Sequence, residues 1–136
     1  MELGGVKLDL SKVKIPIYEL FTREDHIAPA VSVFRGSKLF GGPVRHVMAG
    51  SGHIAGVVNP PALGKYQYWT RTGVQEPNLE TWREGAKETP GSWWPDWDKW
   101  LARLSEGKVP ARQPGQVLGA IEDAPGSFVR ERSDQR

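Results

Sequence analysis

The first half of the chain alternates apolar runs with turn residues, a pattern typical of a strand–helix–strand unit. Residues 13–22 (VKIPIYELFT) are rich in β-branched and aromatic side chains, and their proline lies near the start, where a strand tolerates it. Residues 30–39 place Val31, Phe34 and Lys38 at helical spacing before a Gly-Gly-Pro stop, and residues 44–49 (VRHVMA) predict a second strand. Such a unit is right-handed with parallel strands. Because parallel strands need further neighbours, we expect the end of a larger sheet.

The second half carries two amphipathic helix patterns and a polar tail. Asn78 can cap a helix over residues 78–87, and Pro95 stands at the favoured first position of a helix over residues 95–104. Residues 108–136 contain prolines and glycines but few apolar anchors, so we expect an extended or flexible tail. The pattern therefore predicts an α/β domain over residues 1–107, followed by this tail.

Composition excludes several classes of protein. A length of 136 residues allows at most one domain, and the absence of cysteine excludes disulfides, Cys-ligated metal sites and a thiol nucleophile supplied by this chain. The 18 Lys and Arg residues are interspersed with 16 Asp and Glu residues, which argues against nucleic-acid binding. There is no apolar run of about 18 residues and no signal-like start, so we expect a cytoplasmic protein without a transmembrane segment.

Polar loops follow both predicted strands, over residues 22–29 (TREDHIAP) and 50–56 (GSGHIAG). Ligands and catalytic groups of parallel sheets lie at the carboxyl ends of the strands, so we expect Asp25 and His53 to lie side by side. A carboxylate at Nδ1 would fix the tautomer of the imidazole while Nε2 removes a proton from a nucleophile. One alternative stays open: Asp25 could cap the helix that begins near Pro29, with His53 an ordinary loop residue.

The other histidines give weaker signals. We expect His26 to be structural or to face solvent, and His46, in the middle of a strand, to be a hydrogen-bonded histidine of the sheet. The spacing of His26, His46 and His53 matches no known metal-ligand pattern, so we expect no metal site.

Five blocks of the sequence resemble a known family. They are similar, in the same order, to the C-terminal part of class I polyhydroxyalkanoate synthases, and the likeness extends from about residue 3 to residue 129. The blocks are IPIY (15–18), TREDHIAP (22–29), FGGPVR (40–45), GSGHIAGVVNPP (50–61) and PGSWWPDW (90–97).

This resemblance implies an acyltransferase with an α/β-hydrolase fold and a Cys-His-Asp triad. The family polymerises (R)-3-hydroxyacyl-CoA, typically 3-hydroxybutyryl-CoA, into polyester and releases CoA. By matching blocks, Asp25 stands in the place of the triad acid and His53 in that of the general base. The resemblance further implies a missing N-terminal part that carries the Cys, a homodimeric full enzyme at polyester granules, and no cofactor besides the CoA thioester substrate. We therefore expect this chain alone to be inactive.

Two alternatives stay open beside this interpretation. The chain could be a catalytically silent granule- or synthase-binding module derived from such an enzyme, or a remnant of an α/β-hydrolase that acts on other acyl esters. The six tryptophans between residues 69 and 100 could contact polyester or a partner, but packing of the late helices on the sheet is the favoured interpretation.

Overall fold

The computed structural model describes residues 2–71 and 76–135, and its chain divides into two compact units, Met1–Leu104 and Ser105–Arg136. In the first unit, the described residues form helices and strands in the order β1 (Glu2–Leu3), β2 (Val6–Lys7), β3 (Ile17–Thr22), α1 (Ala30–Ser37), β4 (Val44–Ala49), β5 (Gln67–Thr70), α2 (Leu79–Glu84), β6 (Lys87–Pro90) and α3 (Trp94–Ala102). No helix in this described part is both long and apolar enough to cross a bilayer.

The strands confirm an α/β class but correct the expected sheet. β1 and β2 pair as a short antiparallel ribbon, and the other strands within the described ranges form a mixed sheet in the order β3-β4-β5-β6. Only β3 and β4 are parallel, with Ile17 opposite Val44 and Thr22 opposite Ala49. The parallel pair was predicted, but β5 and β6 add to it in antiparallel orientation, and these two strands were not.

β3 is an end strand of this sheet. The N–H of Ile17 donates to Pro43 O, and that of Arg23 donates to Ala49 O, both at 2.9 Å. Because backbone groups of a strand alternate in direction, Tyr18 and Leu20 between them direct N–H and C=O away from β4. Among the described residues, no strand pairs with that side of β3.

The predicted strand–helix–strand unit is present with shorter ends. β4 has its predicted bounds, whereas β3 starts at Ile17 rather than at residue 13, and α1 ends at Ser37 rather than at residue 39. After α1 the backbone forms a turn whose hydrogen bonds join residues three positions apart, as in the bond from the N–H of Phe40 to Ser37 O.

The sheet buries side chains on both faces, as alternation along a strand requires. Met48 belongs to the cluster on the α1 and α2 side, which also contains Phe34 and Trp82 at 1% exposure each. Val47 and Ala49 point to the opposite face, where Trp93 covers them.

The two late helices are also shorter than predicted. Asn78 caps α2 as expected, because its side chain accepts the N–H of Thr81, but α2 ends at Glu84 rather than at residue 87. The chain from Lys87 onward pairs with β5 instead of continuing the helix. α3 starts at Trp94 and ends at Ala102, two residues before the predicted end.

An ion pair fastens α3 to the sheet. Arg45 of β4 makes two bonds to the Asp96 carboxylate, from Nη2 to Oδ1 at 2.6 Å and from Nε to Oδ2 at 3.0 Å. The hydroxyl of Tyr18 on β3 donates to Asp96 Oδ2 at 2.9 Å. Burial, followed by the charge of Asp96, raises the pKa of Tyr18, so this hydroxyl stays protonated as a donor. The first turn of α3 is therefore fixed to both parallel strands.

The second unit is described by itself. Its described residues contain no α-helix and no strand, only short 3₁₀ turns over Phe128–Arg130 and Ser133–Gln135. Its apolar side chains are exposed, including Val117, Leu118 and Ile121 at more than 90% each.

Candidate active site

The loops that follow β3 and β4 start side by side. The N–H of Arg23 donates to Ala49 O at 2.9 Å, and the N–H of Glu24 donates to Ser51 O at 3.0 Å. These bonds extend the parallel pairing beyond the strands and into both loops. They bring the acidic loop next to the His53 loop, as the sequence pattern predicts.

The carboxylate of Asp25 is held by three N–H groups. Its Oδ1 accepts the backbone N–H of Ile27 at 2.9 Å and of Ala28 at 2.8 Å, and its Oδ2 lies 2.8 Å from Nδ1 of His53. The pKa of Asp25 is lowered to about 2, chiefly by the hydrogen bond from the Ala28 N–H. Desolvation raises the pKa, whereas the bonds from His53 and Ile27 lower it further. Asp25 is therefore ionised at neutral pH.

The pairing with Asp25 fixes the tautomer of His53. An ionised carboxylate can only accept hydrogen bonds, so Nδ1 of His53 carries the proton and donates it. The neutral ring then has its lone pair on Nε2, and the side chain is 42% exposed, whereas that of Asp25 is 7% exposed. This arrangement leaves His53 able to take up a proton from a neighbouring group.

The interpretation of Asp25 as a helix cap was wrong. The N-cap position of α1 is Pro29, which makes no side-chain capping bond. Asp25 instead binds the backbone of the loop that precedes the helix.

The His53 loop needs close backbone approach. Ser51 has a φ of 69°, and the chain then turns sharply, with the N–H of Gly56 bonded to Gly52 O at 3.0 Å. A Cβ on Gly56 would collide with the carbonyl oxygen of Gly50 and lie 2.9 Å from a methyl group of Thr22. Only glycine fits at position 56 without moving the loop.

A cavity of about 700 Å³ adjoins Asp25. It lies between the loop after β3, the start of α1 and the helix α2. Its walls combine apolar and charged side chains, among them Arg23, Ala30, Met48, Leu79 and Arg83. His53 is not among the residues that line it.

The two other histidines lie outside the pairing. His26 is exposed on the loop after β3. Nε2 of His46 lies 2.7 Å from Oγ of Ser37, and its ring packs against Phe34. Burial, with a smaller contribution from the charge of Lys38, lowers the pKa of His46 to about 4, so this ring is neutral at pH 7. Both positions agree with the sequence-based expectation.

Most of the tryptophan surface is internal. Trp69, Trp82 and Trp93 are buried, Trp94 and Trp100 are half-buried, and Trp97 is 42% exposed. Sequence reasoning assigned these residues to packing and missed one contact: the indole N–H groups of Trp93 and Trp94 both donate to Val57 O, at 3.1 and 3.0 Å. No spacing signal links these positions, because α3 approaches the loop only in the tertiary fold.

Comparison with known proteins finds similar polymerases. Over 98% of its length the chain is 60% identical to the poly(3-hydroxyalkanoate) polymerase subunit PhaC of Rhizobium meliloti. It is 55% identical over 98% of its length to the poly(3-hydroxyalkanoate) polymerase of Methylorubrum extorquens, and 41% identical over 95% to the PhaC subunit of Cupriavidus necator. The resemblance to poly(3-hydroxyalkanoate) polymerases is confirmed. No protein-family model matches the chain.

The match spans only part of each polymerase. In each of these three relatives the aligned stretch makes up 22% of the protein, so the chain spans about a fifth of their length. The aligned stretch covers almost the whole of this chain, so it includes the loops that carry Asp25 and His53.

Proposed function

We propose that this chain supplies the acid and the general base of a Cys-His-Asp triad in a poly(3-hydroxyalkanoate) polymerase. The observation that carries the proposal is the 2.8 Å contact between His53 Nδ1 and Asp25 Oδ2, at the carboxyl ends of two adjacent parallel strands. That is where α/β folds place catalytic groups. The names of the relatives support polyester synthesis as the reaction.

In the proposed reaction, Asp25 holds the Nδ1 proton of His53, and Nε2 removes the proton from a cysteine thiol. The thiolate attacks the carbonyl carbon of a 3-hydroxyacyl-CoA thioester. The bond from that carbon to the sulfur of CoA breaks, CoA takes the proton back from the imidazolium, and the acyl group remains on the cysteine as a thioester. This exchange of one thioester for another is close to thermoneutral. Ionised Asp25 stabilises the imidazolium and assists activation of the 3-hydroxyl group of the incoming monomer.

The thiol in this proposal comes from outside the 136 residues, since they contain no cysteine. β3 and β4 would be the last parallel strands of an α/β-hydrolase sheet, and the unpaired side of β3 would continue into strands of the remaining polymerase. Its working unit would be a homodimer in the cytoplasm, at the surface of polyester granules. The 136-residue chain alone would release no CoA from 3-hydroxybutyryl-CoA.

A chimeric enzyme tests the proposal. The chain replaces the matching stretch of the Rhizobium meliloti polymerase, and CoA release from (R)-3-hydroxybutyryl-CoA is followed with a thiol reagent. We expect His53→Ala to lower kcat by about 10²- to 10⁴-fold, the usual contribution of a general base. His26→Ala, an exposed histidine beside Asp25, is the matched control and should leave kcat unchanged.

Turnover by the His53→Ala chimera within about twofold of the parent would refute the assignment, since a general base contributes far more than this. An inactive parent chimera, together with a purified 136-residue chain that folds stably and co-sediments with polyester granules, would favour the silent binding module instead. Release of CoA by the purified 136-residue chain would contradict the need for an external thiol.

A further inference from the structure

The carbonyl oxygen of Val57 collects three N–H donors. The indole Nε1 of Trp93 lies 3.1 Å from it, that of Trp94 lies 3.0 Å away, and the backbone N–H of Asn59 lies 3.1 Å away. A carbonyl oxygen has two lone pairs, so three donors exceed its usual capacity. Two of the three come from side chains that lie 36 and 37 positions further along the chain.

Val57 closes the turn that carries His53. The N–H of Val57 bonds to Ile54 O at 3.1 Å, and that of Val58 bonds to the same oxygen at 2.8 Å. The other end of the turn is fixed by the bond between Glu24 N and Ser51 O. His53 therefore lies between two anchors, one on the acidic loop and one on the tryptophans.

The two indoles belong to a segment that makes several contacts with the sheet and with α3. The ring of Trp93 is buried and packs at 6.0 Å from Tyr18 and 5.9 Å from Trp97. Oγ of Ser92 accepts the backbone N–H of Trp94 at 3.1 Å. The bidentate pair between Arg45 and Asp96 then fixes this first turn of α3 to the sheet, so both indole donors have positions set by β3 and β4.

We propose that Trp93 and Trp94 are positioning residues for His53. Their N–H groups fix the second end of the turn, and this keeps Nδ1 of His53 within bonding distance of the Asp25 carboxylate. Without them the second end of the turn loses the two bonds that tie it to α3, and the imidazole leaves the carboxylate for a larger fraction of the time. The importance of this effect for catalysis rests on the proposed function, but the positioning itself can be measured without turnover.

The tautomer of His53 is the readout. In the ¹⁵N-labelled 136-residue chain at alkaline pH, where imidazole is neutral, the ¹⁵N shifts of the ring distinguish Nδ1–H from the Nε2–H form that free histidine favours. The spectrum of a His53→Gln variant assigns the signals. We expect His53 of the parent chain to be mainly Nδ1–H, and the Trp93→Phe/Trp94→Phe variant to lower the ratio of the two tautomers by about fivefold, the size expected when one net hydrogen bond is lost.

Trp100→Phe is the matched control, because Trp100 lies on the same helix and packs edge-on against Tyr18. It should leave the tautomer ratio at its parent value. An unchanged ratio in the double variant, with native near-ultraviolet circular dichroism, would overturn the proposal. So would an equal fall in the Trp100→Phe control, since that would show a general effect of loosened packing.

If the double variant unfolds, benzothienylalanine at positions 93 and 94 removes only the N–H and keeps the shape of the indole. The same fall in the tautomer ratio of His53 is then expected. A ratio equal to that of the parent chain refutes the proposal. The result is independent of the chimera assay. A chimera that keeps its activity after His53→Ala would refute the triad assignment. The tautomer ratio would still decide whether the tryptophans position the imidazole ring of His53.

Discussion

Replacing Asp25 by Asn tests the core of the site, because it keeps the shape of the side chain and removes its charge. The amide oxygen of Asn can still accept the N–H groups of Ile27 and Ala28, which bond to Oδ1 at 2.9 and 2.8 Å. The amide NH₂ then takes the place of Oδ2, 2.8 Å from Nδ1 of His53. An NH₂ group donates, so Nδ1 must accept and the ring proton moves to Nε2.

The expected loss of activity follows from this inverted bond. Nε2 is the atom that must take the thiol proton, and in the Asp25→Asn variant it already carries one. The Asn side chain also lacks the negative charge that stabilises the imidazolium. Both effects act on the same proton transfer, so we expect kcat of the chimeric polymerase to fall by about 10³- to 10⁴-fold, near the upper limit for a general base. KM should change little, because the side chain keeps its volume beside the cavity.

Two measurements check this reasoning. The rate of CoA release gives kcat and KM of the Asp25→Asn chimera, and the ¹⁵N shifts of His53 in the 136-residue chain give the tautomer. We expect the Nε2–H form to dominate in the variant. A variant that keeps the Nδ1–H form, or that turns over within about threefold of the parent, would show that the Asp25–His53 contact does not control the proton and would refute the argument.

Three further predictions concern stability, measured by urea unfolding at equilibrium. Gly56→Ala should cost about 1–3 kcal/mol, the usual cost of overpacking, whereas Gly36→Ala, at an exposed position of α1 with open space at its Cβ, should stabilise by about 1 kcal/mol. His46 has an ordinary pKa of 6.5 and a folded pKa of about 4, so the unfolded chain binds more protons and stability should fall as pH drops from about 6.5 to about 4. His46→Phe should flatten that slope, and an unchanged slope would contradict it. Arg45→Ala should cost about 2 kcal/mol, because Asp96 loses two charged hydrogen bonds, and removing Asp96 as well should recover part of the loss.

The sequence predicts those elements whose side-chain pattern matches their structure. β4 (VRHVMA) combines β-branched residues with a Gly stop, and the cap at Asn78 has its own signature. β6 (KETP) has neither: it is polar, short and ends in proline, and its pairing with β5 holds it in the sheet. Its inclusion also ends α2 at Glu84, a boundary that the helical pattern alone could not reveal.

The same division applies to the site. Asp25 and His53 could be paired from sequence because both follow strands of one parallel unit, whose geometry fixes where the strands end. The contacts of Trp93 and Trp94 with Val57 depend on how α3 lies on the sheet, and this depends on the Arg45–Asp96 pair. No local pattern encodes such an approach, so tryptophans that look like packing residues turn out to hold the loop.

The open side of β3 gives the isolated chain an edge at which identical molecules can associate. Along that side the backbone groups of Tyr18 and Leu20 pair with no strand of the described residues, and an open strand edge of this kind recruits other strands, including those of identical molecules. The particle size measured by light scattering should therefore grow with protein concentration. Dilution should reverse this growth as long as the strands that paired between molecules have not rearranged.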